Sequence, residues 1–121
     1  MPTKERLGEF VAAVKTGRYI DAILEFYAEN ASIRENLGTP RVGREALVRH
    51  ERAVLSAVKQ MRTHTAHTVL LDGDHVAINW EFEMTDPQGA ARTLNEVALQ
   101  IWSGDRILHE QFFYDPGQLA R

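Results

Sequence analysis

The chain has 121 residues, of which 44% are hydrophobic and 26% charged, and its formal net charge is −3. This composition is typical of a globular protein with a core of its own, so we expect residues 1–121 to form a single domain. The scattered basic residues argue against a nucleic-acid interface, and the absence of cysteine excludes disulfides, thiolate metal sites and a cysteine nucleophile.

Apolar residues at three- and four-residue spacing predict three helices in the first half of the chain. They are expected at residues 3–16, 18–28 and 44–60, and Gly17 is a suitable stop for the first. A short strand is predicted at 31–35, between the second and third helices.

Alternating apolar and polar residues predict four strands in the second half, and Asp72-Gly73-Asp74 is a strong hairpin signal. Helices followed by an antiparallel meander are typical of an α+β fold, and a curved sheet wrapped around helices would enclose a pocket. The strands are expected at 62–71, 75–85, 91–102 and 106–114. The expected apolar face of the second strand carries Ile78, Trp80, Phe82 and Met84.

This order of elements, with FYAENASIRENLGTPRVGREAL at residues 26–47 and EQFFYDPGQL at 110–119, resembles the nuclear transport factor 2-like superfamily. Within it, the chain looks most like the SnoaL-like proteins, which include polyketide cyclases and ketosteroid isomerases. The resemblance covers essentially the whole chain. It implies a cone-shaped, cystatin-like fold, in which a curved, mostly antiparallel sheet wraps around three N-terminal helices. This fold hosts several enzyme classes and non-catalytic binders, so the resemblance implies a scaffold more strongly than a reaction.

Ketosteroid isomerases need a carboxylate base, with a tyrosine and a protonated aspartic acid as oxyanion donors. By resemblance the base position falls on Glu35, the tyrosine on Phe10 and the second acid near Val97. Because each missing oxyanion donor costs roughly 3–4 kcal/mol, authentic ketosteroid isomerase activity is not expected.

Glu110 and Glu35 are the two candidate bases. In the last strand, alternation groups Glu110 with Leu108, Phe112 and Tyr114, and burial among them would raise the pKa of its carboxyl group. The same alternation predicts Ile107 and His109 on the opposite face. The resemblance to SnoaL-type cyclases, which take an acidic base from the pocket end of the sheet, also implies Glu110.

Glu35 shares its parity with Ile33 and is expected to face the pocket, or else to form a salt bridge with Arg34, Arg41 or Arg44. An epoxide-hydrolase set of two acids and an arginine is a weaker alternative, because Arg34 and Arg92 are not expected to face inward.

Among the histidines, His67 has the parity of Val69 and Leu71 and is a candidate pocket acid or base. His64 and His67, three residues apart in one strand, are expected to face opposite sides, so no metal site is predicted. Asn95, on the face of Val97, could bind a substrate carbonyl or orient Glu110, or could be satisfied by backbone or water. The candidate ligand-binding residues are Phe10, Tyr19, Tyr27, Trp80, Asn95, Val97, Phe112 and Tyr114.

We therefore expect an apolar pocket for a small, carbonyl-containing hydrophobic ligand, in which Glu110 or Glu35 moves a proton next to the carbonyl without a cofactor. The alternatives are a non-catalytic binding module and a dimerisation domain of the same fold. A homodimer is expected because the outer faces of such sheets often pair, with Glu81 and Glu83 making the interface polar. No apolar run approaches a membrane span and the N-terminus does not resemble a signal peptide, so a cytoplasmic protein without a membrane partner is expected.

Overall fold

The computed structural model describes residues 1–119, in which three α-helices pack against one face of a curved six-stranded sheet. The expected α+β class is confirmed. No helix in this range is long and apolar enough to cross a membrane. The helices are α1 (Lys4–Lys15), α2 (Tyr19–Phe26) and α3 (Arg44–Ser56), and a 3₁₀ turn spans Pro116–Gln118. The strands are β1 (Tyr27–Glu35), β2 (Arg41–Val42), β3 (Gln60–Asp72), β4 (His75–Thr85), β5 (Ala91–Ser103) and β6 (Arg106–Phe113).

The strand order is β2-β1-β6-β5-β4-β3, so the first strand lies beside the last. Strands β1 and β6 are parallel, and every other neighbouring pair is antiparallel. The β1–β6 register pairs Ile33 with Glu110 and Glu35 with Phe112. The two candidate bases therefore lie on adjacent strands.

The core lies between the helices and the inner face of the sheet, and it centres on the ring of Phe10. This ring is 2% exposed and packs edge-on against four other rings. The centroid distances are 5.4 Å to Phe26, 6.1 Å to Trp102, 6.2 Å to Tyr27 and 6.5 Å to Trp80. Aromatic rings from α1, α2, β1, β4 and β5 thus join the two layers.

Two predicted helix ends are wrong, because pairing in the sheet overrides helical periodicity. The second helix ends at Phe26 rather than 28, since Tyr27 is extended (φ −97°, ψ 141°) and pairs with Ile107 of β6. The third ends at Ser56 rather than 60, because the N–H of Lys59 donates to the carbonyl of Thr85 and starts the β3–β4 ladder.

A bulge in β6 changes which residues of this strand face the core. Trp102 pairs with Ile107 and Ile101 with His109, so Leu108 has no partner on β5. The extra residue lets Ile107 (0% exposed) and Glu110 (3% exposed) both face inward. The expectation that Ile107 lies on the face opposite Glu110 is therefore wrong.

Two further bulges interrupt β3, and each has a histidine as its extra residue. Thr63 and Thr65 pair with consecutive residues of β4, so His64 between them has no partner on that strand. Ala66 and Thr68 likewise pair with consecutive residues of β4, and His67 is the extra residue. Both histidines lie on the outer face of the sheet, where they contact the same carboxylate.

Candidate functional site

A cavity of about 180 Å³ lies between the three helices and the inner face of the sheet. Its wall is largely aromatic and aliphatic, with a small set of ionisable side chains. The aromatic residues of the wall are Phe10, Tyr19, Tyr27, Trp80, Phe82 and Phe112. The ionisable residues, apart from the two tyrosines, are Glu35, Arg41, His50, Glu51, Glu96 and Glu110.

Glu110 forms the deep end of the cavity. The hydroxyl of Tyr27 donates a hydrogen bond to its Oε1, and Nε2 of Gln100 donates to its Oε2 at 2.6 Å. The Gln100 amide is oriented in turn by Trp102, whose Nε1 donates to Gln100 Oε1 at 2.9 Å. The side chains of Tyr27, Gln100, Trp102 and Glu110 therefore form one buried network. The Glu110 carboxyl group accepts from Tyr27 on one side and from the Trp102–Gln100 pair on the other.

Burial raises the pKa of Glu110 from its usual 4.5 to about 7, while the hydrogen bonds from Gln100 and Tyr27 oppose the rise and the charge of Glu51 adds to it. Burial and the neighbouring Glu110 also raise the pKa of Tyr27 well above 10.0, so its phenol stays protonated and remains a donor. A carboxyl group with a pKa near neutrality can both accept and return a proton.

Glu35 forms the mouth of the cavity, at the end of β1. Tyr114 donates to its Oε1 at 2.8 Å, Arg41 donates to its Oε2, and His50 Nε2 lies 3.9 Å from Oε2. Burial acts to raise the pKa of Glu35, but the hydrogen bonds from Arg41 and Tyr114 and the charge of Arg41 outweigh it and lower the pKa. Glu35 is thus an ionised partner of Arg41. Burial and the hydrogen bond from Tyr114 to Glu35 raise the pKa of the Tyr114 hydroxyl to about 12.

The mouth is held together by Asn36, which adopts the left-handed conformation (φ 50°). Its N–H donates to the carbonyl of Phe112 at 2.7 Å, and its Oδ1 accepts from the N–H of Tyr114 at 3.0 Å. The Gln111 amide donates to its carbonyl at 2.7 Å. Asn36 therefore connects the ends of β1 and β6, which brings the Tyr114 hydroxyl to Glu35.

Two more acids line the cavity between these ends. Burial and the charges of Glu110, Glu35 and Glu51 raise the pKa of Glu96 to about 8. Burial also raises the pKa of Glu51, with a further contribution from Glu35. The pKa of His50 is lowered by burial and by Arg41, so its imidazole is neutral at pH 7.

Most of the side chains proposed from the sequence meet at this cavity. Both candidate bases line it, and Tyr114 reaches it through Glu35. Their parts in binding or catalysis stay predictions. The proposed residues that lie in its wall are Phe10, Tyr19, Tyr27, Glu35, Trp80, Glu110 and Phe112.

Asn95 and Val97 do not line the cavity, and their expected placement in the pocket is wrong. They lie on the outer face of β5, where Val97 is 39% exposed and the Asn95 N–H donates to Oε1 of Gln118. The outer row of β5 is the more apolar one, which misled the assignment of its faces. The inner row consists of Leu94, Glu96, Ala98, Gln100 and Trp102.

His67 is also outside the pocket, because the bulge at this residue shifts the alternation on which its inward placement depended. Its Nε2 lies 2.8 Å from Oε1 of Glu81, and His64 Nδ1 lies 2.8 Å from Oε2 of the same carboxylate. The expectation that the two histidines face opposite sides is therefore wrong. Within residues 1–119 no group of three acidic or histidine side chains is arranged to hold a metal ion.

Sequence reasoning missed several ionisable or polar residues of the site. Arg34 and Arg92 donate to the backbone carbonyls of Gly38 and Leu119, and the arginine at the mouth is Arg41, on the short strand β2. Gln100 could have been found, because it shares parity with Trp102, a residue large enough to demand burial. The missed residues are His50, Glu51, Glu96 and Gln100. The salt bridge of Glu35 with Arg41 was one of the alternatives expected from the sequence.

The chain is similar to known proteins in both sequence profile and fold. A model of the SnoaL-like domain matches residues 7–109. No curated protein sequence matches the chain.

Three solved structures illustrate the likeness in fold. An NTF2-like protein of unknown function from Burkholderia pseudomallei has a TM-score of 0.81 at 16% identity, over 95% of this chain and 92% of the other. A candidate SnoaL-like polyketide cyclase from Jannaschia has a TM-score of 0.82 at 13% identity, over 98% of this chain and 92% of the other. TerC, co-crystallised with polyporic acid, has a TM-score of 0.80 at 18% identity, over 95% of this chain and 92% of the other.

Proposed function

The chain belongs to the SnoaL-like domain family, and we propose that it binds a small, carbonyl-containing hydrophobic ligand and moves a proton on that ligand through Glu110. The observation that carries the proposal is the burial of Glu110 in the cavity wall together with its raised pKa. It is a cavity-lining carboxyl group, 3% exposed, whose pKa burial raises to about 7. A general base with such a pKa combines a useful ionised fraction at neutral pH with enough basicity to remove a carbon-bound proton.

The proton transfer is reversible and needs no cofactor. The Glu110 carboxylate accepts a proton from the carbon next to the ligand carbonyl, the C–H electron pair forms the enolate double bond, and the charge moves to the oxygen. The protonated Glu110 then returns the proton to the same or a conjugated carbon. Tyr27 and Gln100 hold the carboxyl group throughout, because each donates to a different oxygen of Glu110.

The size and lining of the cavity fit a ligand of about one substituted ring. An apolar cavity of about 150 Å³ accommodates benzene, and this one has a volume of about 180 Å³. Trp80, Phe82 and Phe112 line the space rather than fill it, so a flat ring can pack against their faces. The structural neighbour co-crystallised with polyporic acid supports an organic ligand for this scaffold.

The test is deuterium exchange into the methyl group of acetophenone, which contains one ring and one abstractable set of protons. We expect the protein in D₂O at neutral pH to accelerate the loss of the methyl proton signal in NMR spectra. Glu110→Gln should abolish the acceleration and still bind acetophenone. Glu83→Gln is the matched control, because Glu83 lies on the outer face and pairs with Arg62. Exchange by Glu110→Gln at the wild-type rate would overturn the proposal.

A second candidate, the non-catalytic binding module, is favoured by one observation. Both oxygens of Glu110 already accept hydrogen bonds inside the protein, which is also the arrangement of a purely structural carboxyl group. This function predicts that wild-type protein and Glu110→Gln both bind acetophenone and that neither accelerates exchange.

We further propose that two copies of the chain associate through the outer face of the sheet. Val97, Leu99, Ile101 and Phe113 form an apolar row across β5 and β6, and each is between 39% and 42% exposed. A two-fold axis would lay this row against itself, with Glu81 and Glu83 on the flanking strand as a polar rim. Leu99→Glu should convert a dimer into a monomer in light scattering after gel filtration. Leu37→Glu, in an exposed loop, should not.

A further inference from the structure

Glu96 is a carboxyl group in the cavity wall whose side chain has no partner among residues 1–119. Its side chain makes no hydrogen bond or ion pair with any residue between 1 and 119, and only its backbone carbonyl is used, as the acceptor for Asn79. Glu110 and Glu35 differ in this respect, because each accepts two hydrogen bonds from protein side chains. The hydrogen-bonding capacity of Glu96 is therefore free for a ligand.

Glu96 lies in the cavity wall on the mouth side of Glu110. It precedes Gln100 by four residues on β5, which corresponds to roughly 13 Å along the strand, and Gln100 pairs directly with Glu110. The paired residues of β5 and β6 run from Gln100–Glu110 to Val97–Phe113 in the direction of the mouth, and Glu96 is the next residue of β5 in that direction. A ligand of one ring that presents a carbon to Glu110 therefore extends its far end toward Glu96.

The carboxyl group of Glu96 is a hydrogen-bond donor near neutral pH. Burial and the charges of the carboxylates that face it, Glu110 on β6, Glu35 on β1 and Glu51 on α3, together raise its pKa to about 8. The two basic groups in the same wall do not neutralise it. Arg41 is paired with Glu35, and the pKa of His50 is lowered.

We propose that Glu96 is a specificity-determining residue, which donates a hydrogen bond to an acceptor oxygen at the end of the ligand farthest from Glu110. The substrate class is then a one-ring compound with two oxygen functions, one at each end. One carbonyl activates the carbon that faces Glu110, and the other acceptor binds Glu96. This inference rests on the proposed function for the end of the ligand that meets Glu110.

The test uses two probes that differ in one acetyl group. Acetophenone has one carbonyl, and 1,4-diacetylbenzene has a second one across the ring. We expect the protein to bind 1,4-diacetylbenzene about 3- to 10-fold more tightly at pH 6.5, the gain from one neutral hydrogen bond. Ligand-observed NMR titration measures both affinities. At pH 9.5 the preference should disappear, because ionised Glu96 no longer donates and repels the carbonyl oxygen.

Two variants separate hydrogen bonding from structural effects. Glu96→Gln keeps a neutral donor and should retain the preference at both pH values. Glu96→Leu has no donor and should lack it at both. Equal affinities in wild-type protein at pH 6.5, or a preference that persists in Glu96→Leu, would overturn the inference. The same holds if the preference of Glu96→Gln disappears at pH 9.5, since another group would then be responsible.

The outcome for Glu96 can be distinguished from the outcome for Glu110. Exchange of acetophenone without any preference between the two ketones rejects the role of Glu96 and leaves proton transfer by Glu110 intact. A preference that follows the Glu96 variants, without exchange of either ketone, rejects proton transfer and retains the binding role of Glu96.

Discussion

The deep end and the mouth of the cavity contain the same kind of group in opposite states. Glu110 and Glu35 are both glutamates, both line the cavity, and both accept two hydrogen bonds, one of them from a tyrosine. The pKa of Glu110 is nevertheless raised to about 7, whereas that of Glu35 is lowered. The hydrogen-bond count therefore does not decide the protonation state.

The difference arises from the second donor and from access to water. At the deep end the second donor is the neutral amide of Gln100, and the carboxyl group is 3% exposed. At the mouth it is the guanidinium of Arg41, and the carboxylate is 36% exposed. A neutral donor cannot offset the loss of solvation, whereas a cation can. Sequence neighbours of either glutamate do not reveal this distinction.

The largest expected effect is in the pH dependence of folding. Since the pKa values of Glu110 and Glu96 are raised from 4.5 to about 7 and about 8, the folded protein binds more protons than the unfolded chain in this window. Their stabilising contribution is present below pH 4.5 and is lost as the pH rises through 7 and 8. The free energy of unfolding should fall by several kcal/mol between pH 5 and pH 8 in urea titrations.

Glu110→Gln should flatten this dependence, and Glu83→Gln on the outer face should follow the wild type. The mouth acts in the opposite direction, because the pKa of Glu35 is lowered and its contribution is lost as the pH falls below 4.5. An unchanged slope in Glu110→Gln would show that the deep carboxyl group is not held in its neutral form.

The next effect comes from removing the tyrosine hydroxyl at each end. Tyr27→Phe deletes a donor to a fully buried carboxyl group and should lower the free energy of unfolding at pH 8 by about 2 kcal/mol. Tyr114→Phe makes the matched change at the half-exposed mouth and should cost less than about 1 kcal/mol, because water replaces the donor. Equal losses in urea unfolding would contradict the contrast between the two ends.

The smallest effect is expected from Arg41→Met, which removes the cation and retains an unbranched side chain. The pKa of Glu35 should rise toward that of the deep acid, because the hydrogen bond and the positive charge of Arg41 both lower it. Carbon-detected NMR titration of the glutamate carboxyl groups measures it. The pKa of Glu110 should not change, because Arg41 is not among the groups that shift it. A constant Glu35 pKa would mean that Tyr114 alone holds it ionised.

The sequence predicted the architecture where hydrophobic periodicity and burial agree. In β4 the residues Ile78, Trp80 and Phe82 face inward as their alternation predicts, and the hairpin at Asp72-Gly73-Asp74 joins β3 to β4. The helices fall within a few residues of their expected bounds. In these elements the core alone decides which side chains are buried, so a pattern of apolar residues suffices.

The site was less predictable because it reverses that pattern. The inner row of β5 carries Glu96 and Gln100, and the outer row carries Val97 and Leu99. A rule that turns apolar residues inward therefore selects the wrong face. In β3 and β6 the alternation is broken by bulges, which depend on the register with a neighbouring strand and leave no signal in the local sequence.

The bulge at Leu108 separates two demands on β6 that a regular strand could not satisfy together. Ile107 and Glu110 are three positions apart, so uniform pleating would turn one of them outward. The extra residue lets Ile107 pack beside Trp102 while Glu110 faces the cavity. A single inserted or deleted residue near this point could exchange the acid at the deep end for a neighbour. Changes in strand length, and not substitution alone, are thus a short evolutionary route between versions of this scaffold with different side chains at the deep end of the cavity.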